Sequence, residues 1–346
     1  MIIRSGSTSV AAFKLRWIGA LLLASAMVIS GCSDSDSDSE SGGGPPVSDP
    51  ATTTAPPSPS TGPDPASPPA PAEAPSGEAR VVVSPKGVVL PVKGREGGGY
   101  RVETPCANSA VVRGATPVVG VPVVLDVGHG GDEEGAKGPN GLTEKVVNLA
   151  VAGYARAALQ RQGTPAVLTR TGDYRMTLGA RAEVALALRP RAYVSIHHNS
   201  VPDGPRAGPG TETFYQLGSA GSKRLAGLIY EEVVNALSNY RVAWVADRDA
   251  GAKYRPNSRG GDYYAILRQA GSVTAVLAEL AFISNPPEAD LLARAEVQQV
   301  EGEAVARGIL RFLNSDAPGS GYVTPYPRDE PAGPGGGSSG CVDPPL

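Results

Sequence analysis

Three histidines, three cysteines and no large excess of either charge are what this 346-residue sequence has to work with. Any imidazole chemistry must therefore run through His129, His197 and His198. The formal net charge is only −3, and residues 33–79 hold eight acids and no bases, so a basic face for nucleic acid is not expected. The apolar run Ile18–Ile29 falls short of the roughly 20 residues that a membrane-spanning helix needs. Glycine and proline are abundant, at 44 and 33 residues, but they cluster at the two ends. That clustering leaves room for one domain of ordinary size rather than two.

The first 31 residues carry Arg4, Lys14 and Arg16, then the short apolar run, then Ser30-Gly31, the layout of a secretory signal. Cys32 follows, and Ile29-Ser30-Gly31-Cys32 resembles the lipobox of bacterial lipoproteins, which implies an acylated Cys32 and an extracytoplasmic protein anchored to the cell membrane. With Cys32 set aside, Cys106 and Cys341 remain, and an oxidising compartment favours a bridge between them. Residues 32–79 run from Ser/Asp repeats into Pro/Ala/Ser/Thr repeats, with no recurring apolar side chains to offset the entropy of ordering. They are expected to form a disordered tether holding a domain away from the membrane.

Residues 80–118 alternate β-branched runs with Gly and Pro, which predicts a small β-rich extension packed on the main domain. Residues 119–314 then read as strands alternating with helices. Strands are expected at 121–127, 166–170, 192–196, 211–216, 263–267 and 273–280, and helices at 144–161, 177–188, 222–237 and 297–313. This alternation predicts a three-layer α/β sandwich around a mainly parallel sheet, with its site at the carboxyl ends of the strands. Residues 315–346 return to a Gly/Pro-rich tail.

His129 lies in Asp126-Val-Gly-His129-Gly-Gly, on a glycine-rich turn just past a predicted strand, and His197 ends the strand Val194-Ser-Ile-His197. Glu144 follows Thr143, a candidate helix N-cap, so its carboxylate is expected in the first helical turn. Two imidazoles and a carboxylate suit Zn²⁺, with a fourth position left for water. A lone glutamate at a helix start is ordinarily surface charge, and a histidine at a strand end is ordinarily structural. The combination in a histidine-poor chain is what points to metal.

Five motifs in order, Asp126-Val-Gly-His129-Gly-Gly, Glu144-Lys-Val-Val-Asn148-Leu, Leu168-Thr-Arg170-Thr-Gly-Asp173 with Leu178 and Arg181, Val194-Ser-Ile-His197-His-Asn199, and Ala278-Glu279-Leu-Ala-Phe282-Ile-Ser-Asn285, resemble the zinc-dependent N-acetylmuramoyl-L-alanine amidases of the amidase-3 type. The resemblance implies a six-stranded mixed sheet and cleavage of the amide between N-acetylmuramic acid and L-alanine in peptidoglycan. It puts the zinc ligands on His129, Glu144 and His197 and the catalytic proton carrier on Glu279. His198 stands where the family has a small residue, which implies a supporting or groove-lining role; neighbouring residues on a strand face opposite sides, so it is not expected to share one ion with His197. Asn199 and Arg170 read as braces of strand ends, and Glu279 paired with Arg170 or Arg181 is the structural alternative for that acid. Some relatives carry a helical insertion that blocks the metal, whereas Ser200–Pro209 is short and Gly/Pro-rich, so no obligate activator is expected. Arg248, Lys253, Arg255 and Arg259 are candidates for lining the groove, or else belong to a solvated loop. Rival functions are a zinc peptidase acting within stem peptides and a catalytically inactive envelope-binding lipoprotein.

Overall fold

The computed structural model describes residues 78–327, 331, 333 and 337–346. The expected signal segment, Cys32 and all but the last two residues of the tether lie outside the described residues. Five strands come first: β1 (Val81–Val83), β2 (Val89–Glu96), β3 (Gly99–Glu103), β4 (Ser109–Val112) and β5 (Thr116–Val118). They pair antiparallel in the order β4-β3-β2-β1-β5. Side chains alternate between faces along a strand. Val82, Leu90, Val102 and Val112 accordingly close a small core of their own, while Val81 and Val89 turn the other way and join the core of the main domain.

The main domain continues β6 (Val123–Val127), α1 (Glu144–Arg161), β7 (Ala166–Leu168), α2 (Leu178–Leu188), β8 (Ala192–Asn199), β9 (Gly204–Arg206), β10 (Glu212–Tyr215), α3 (Ala220–Leu237), β11 (Trp244–Ala246), β12 (Ala252–Lys253), α4 (Ala265–Gln269), β13 (Ala275–Phe282), α5 (Pro286–Leu292) and α6 (Ala295–Asn314). Six strands form one sheet in the order β12-β10-β13-β8-β6-β7. The four strands from β13 to β7 are parallel, β10 runs antiparallel to β13, and β12 is parallel to β10. The fold is thus the expected α/β sandwich with a mixed, mostly parallel sheet and an N-terminal antiparallel sheet. All five residues of β6 are buried, as a central strand covered on both faces requires. One face packs against α1, α3 and α6, the other against α2 and α4.

Two segments depart from expectation. Tyr263–Leu267 is not a strand; its second half begins the short helix α4. A run of five apolar and aromatic residues has too little length for its period to separate helix from strand. Tertiary packing decides it, by laying Ile266 and Leu267 with Val184 and Leu277 over the sheet. The tail also does more than trail. Ala252 N donates to Gly321 O (2.8 Å) and Val323 N to Ala252 O (3.1 Å), which extends the β12 edge. Further on, Cys341 is bonded to Cys106, with Cα atoms 5.6 Å apart. Asp343 accepts from Thr104 Oγ1, Cys106 N and Asn108 Nδ2, each at 2.8 Å.

The bridge closes a loop across 235 positions of sequence, so it removes much of the unfolded chain's freedom. The double variant Cys106→Ser/Cys341→Ser should lose roughly 2–5 kcal/mol of stability, read from its urea midpoint against the oxidised parent. An unmoved midpoint would show that the bridge contributes nothing beyond the tail's hydrogen bonds.

Candidate active site

Strand register assembles the site. Glu279 on β13 lies between His197 on β8 and Glu212 on β10, forming one row across the carboxyl end of the sheet. Their side chains share a face, and a register shift between Glu279 and Phe282 bends β13 just beyond them. His129 follows β6 on its turn with φ 59°, a left-handed conformation uncommon outside glycine that neighbouring groups help to hold. Two buried guanidinium groups do so. Arg181 Nη2 donates to His129 O (2.6 Å) and its Nη1 to Val127 O, while Arg170 Nη2 donates to Gly128 O (3.0 Å) and Lys145 O (2.7 Å). Asp126, fully buried, holds Thr169 Oγ1 at 2.8 Å, Ser195 Oγ at 2.6 Å and Arg181 Nη1 at 3.4 Å.

Glu144 sits at the first position of α1, after Thr143 as expected, although the Thr143 side chain makes no capping bond. The Glu144 carboxylate meets both imidazoles: Oε2 lies 3.1 Å from His129 Nε2 and Oε1 lies 2.8 Å from His197 Nδ1. The two rings stand edge to face, with centroids 4.9 Å apart. Ala136 N donates to Oε2 (2.8 Å), and His198 N and Asn148 Nδ2 donate to Oε1 at 3.2 and 3.3 Å. Close approach needs missing side chains: a Cβ on Gly128 would fall 2.4 Å from the His197 ring, and one on Gly135 would fall 2.6 Å from Glu144 Oε2.

These three residues offer one nitrogen or oxygen each, all within 4.8 Å of one another. The donor chemistry fits a candidate metal site consistent with zinc, since two imidazoles and a carboxylate converge and leave one side open. Burial alone would raise the Glu144 pKa, but hydrogen bonds from His129 and His197 hold it well below the usual carboxylate range. Burial lowers His197. Burial would lower His129 as well, but Glu133, 3.1 Å from Nδ1, and Glu144 outweigh it and raise it to about 9.

Glu279 is the odd acid of the group. Its Oε2 is sealed from solvent and has no hydrogen-bond partner among the described residues, so neither Arg170 nor Arg181 neutralises it. Burial, with Glu144 and Glu212 nearby, pushes its pKa well up. It opens with His129, His197 and Glu133 onto a cavity of about 290 Å³, walled by Leu178, Tyr263, Tyr264, Ile266 and Leu277. Gly333 of the tail lines it too, with its N donating to Tyr263 O (3.0 Å) and its O accepting from Arg268 Nη2 (3.1 Å).

Other expectations are corrected. Lys253 does not line a groove: it is 2% exposed, and its ammonium is bound between Glu212 Oε1 and Asp249 Oδ1. Arg255 stacks over the Tyr263 ring at 3.8 Å, and Arg248 lies over Tyr326 at 4.3 Å. His198 does not line the cavity either, for it points through to the α1/α6 face and is 2% exposed. Asn199 and Arg170 brace the frame, Asn199 Nδ2 donating to Glu212 Oε2 at 2.6 Å. Sequence reasoning missed Glu133, whose only signal was its place four residues after His129, and the tyrosines, which were assigned to a strand.

In the metal-free chain, the contribution of the His129 proton is fully present below pH 6.5 and is lost as pH rises through about 9. Unfolding free energy measured in chelator should fall across that window by about 3 kcal/mol. His129→Gln should remove most of the fall; an unchanged slope in that variant would contradict the pairing.

Residues 123–311 match the amidase-3 family, described as N-acetylmuramoyl-L-alanine amidase. The uncharacterized protein YqiI of Bacillus subtilis (strain 168) is 38% identical over 207 residues, covering 59% of this chain and 88% of that protein. The germination-specific N-acetylmuramoyl-L-alanine amidase of the same organism is 32% identical over 211 residues, covering 57% of this chain and 81% of that one. Among solved structures, Cwp6 from Clostridium difficile is similar with a TM-score of 0.50 and 29% identity, over 57% of this chain and 30% of that one. The family match takes in His129, Glu144, His197 and Glu279 and spans more than half of the sequence, so this chain belongs to the amidase-3 family of N-acetylmuramoyl-L-alanine amidases.

Proposed function

We propose that the chain is a zinc-dependent, lipid-anchored amidase of the cell wall, with zinc held by His129, Glu144 and His197 and proton transfer carried out by Glu279. One observation carries this reading: an acid with an unpartnered oxygen faces the same small cavity as a two-imidazole, one-carboxylate cluster. Zinc bound there would supply Lewis acidity, polarising a carbonyl and acidifying water at neutral pH. Glu279 takes the proton of the attacking water and hands it to the departing L-alanine amine. Burial and its acidic neighbours make Glu279 less acidic than an ordinary carboxyl, which lets it hold that proton between the two transfers. Arg170 and Arg181 keep the His129 turn in place, and Glu133 fixes His129 Nδ1 so that Nε2 faces the cluster.

Glu279→Gln should bind zinc as the parent does and lose at least about a hundredfold in turnover. Mass spectrometry of digested wall reads the bond cut. Intact stem peptides with a free L-alanine amine support the amidase, whereas shortened stems indicate a peptidase and overturn it.

The segment between β8 and β10 supports a site that works without an activator, since it spans only residues 200–211 and carries strand β9 paired with β11. Purified protein should clear cell wall with zinc alone; inertness until a second protein is added would refute this. Membrane attachment through Cys32 rests on Ile29-Ser30-Gly31-Cys32. Two acyl chains are needed for stable anchoring, because each buried CH₂ contributes about 0.8 kcal/mol. Cys32→Ser should move the protein from the membrane fraction to the soluble fraction, and an unchanged distribution would remove the anchor from the proposal.

A further inference from the structure

Behind the cluster, on the opposite face of the sheet, four buried polar side chains form a line from Glu144 to α6. Asn148, one helical turn after Glu144, donates from Nδ2 to Glu144 Oε1 (3.3 Å) and to Gly128 O (3.4 Å). Both partners are acceptors, so the Asn148 amide is turned with Oδ1 the other way, towards His198 Nδ1 at 2.8 Å. His198 Nδ1 must therefore carry a proton and donate it. On the far side of the ring, His198 Nε2 lies 3.3 Å from Glu301 Oε2. A single proton on that contact serves it in either assignment, with acid donating to ring or ring donating to carboxylate. In both, Nδ1 keeps its proton for Asn148, and Glu301 is the partner that occupies Nε2.

The line has no route to solvent: Asn148 and Glu301 are 0% exposed and His198 is 2% exposed. Glu301 Oε1 has no hydrogen-bond partner among the described residues, a cost that a plain packing position would avoid by carrying an apolar side chain. The backbone is shaped to seat it. At Gly302, the next residue, a Cβ would fall 2.6 Å from Val151 O and 2.8 Å from Ala155 N, so α6 can approach α1 this closely only without a side chain there.

We infer that Glu301 on α6 is a positioning residue for Glu144, acting through His198 and Asn148 to hold the carboxylate in its metal-binding orientation. The inference rests on the zinc-site reading above. Without Glu301, His198 Nε2 loses its partner, the ring is free to turn or change tautomer, and Asn148 is no longer held with Oδ1 on His198 and Nδ2 towards Glu144. Loss of such outer partners of a metal ligand weakens affinity by about 10–100-fold.

The experiment measures zinc dissociation constants by chelator competition for the parent, Glu301→Ala, Glu301→Gln and His198→Ala, each checked for fold by circular dichroism. Glu301→Ala should weaken zinc binding about tenfold or more. Glu301→Gln, whose amide can still donate to His198 Nε2, should return it to within about threefold of the parent. The double variant Glu301→Ala/His198→Ala should be no worse than the weaker single one, because both break one line. Imidazole nitrogen resonances of the metal-free chain give a second reading: Glu301→Ala should shift the His198 tautomer, with His129 and His197 little changed. If His198→Ala does not fold, the two Glu301 variants and the nitrogen resonances decide the matter. Unchanged zinc affinity in Glu301→Ala, or a Gln variant as weak as the Ala variant, would overturn the inference and leave a purely structural pair. A parent that takes up no zinc would overturn the metal-site reading instead, and would show before any variant is compared.

Discussion

A carboxylate buried at the start of a helix has to be matched, and most of the architecture around the site follows from matching Glu144. Isolated in a low-dielectric interior, its charge would cost several kcal/mol and the group would take up a proton instead. Two imidazoles, two backbone amides and one side-chain amide surround it, drawn from the loop after β6, from β8 and from α1 itself. His129 arrives on the turn after β6, His197 at the end of β8, and Ala136 on the loop between β6 and α1. The same matching explains the glycines at 128 and 135, where any side chain would enter the volume these groups occupy. It also explains why two arginines are spent on backbone carbonyls, for the strained turn carrying His129 needs an external frame.

Charge at the carboxyl end of the sheet is divided among three glutamates with different partners. Glu144 is matched by imidazoles, and Glu212 by Lys253 and Asn199, although burial still pushes Glu212 up to about 7. Glu279 stands between them in the same row of strands and is matched by neither. Among the described residues no cation is paired with the third, and burial beside two other acids raises its pKa well above that of an ordinary carboxyl. Pairs of titratable groups whose surroundings drive them apart are the usual arrangement for acid–base work.

The tail adds a physical link between the two sheets and the site. Its first part extends the β12 edge, Gly333 contributes to the cavity wall, and the disulfide and the Asp343 contacts fasten the end to the N-terminal sheet. Leu346 packs against that sheet's own core. A composition that lacks a hydrophobic pattern can thus still be ordered when covalent and hydrogen-bonded attachments substitute for burial.

Much of this was legible in the order of residues. Strand and helix periods in 121–237 and 273–313 placed the sheet, and histidines at strand ends, with Glu144 at a helix start, marked the site. Local chemistry sufficed there because side-chain periodicity and turn glycines act over a few residues. What only the tertiary structure decided was whatever depends on elements meeting across the fold. Lys253 has the sequence setting of a surface loop and is buried by acids 4 and 41 residues away. Tyr263–Leu267 has the composition of a strand, yet its second half enters helix α4, which covers the sheet rather than adding a strand to it. His198 turns from the cavity to Glu301, 103 residues distant, because alternation along β8 is local but the partner waiting on the far face is not.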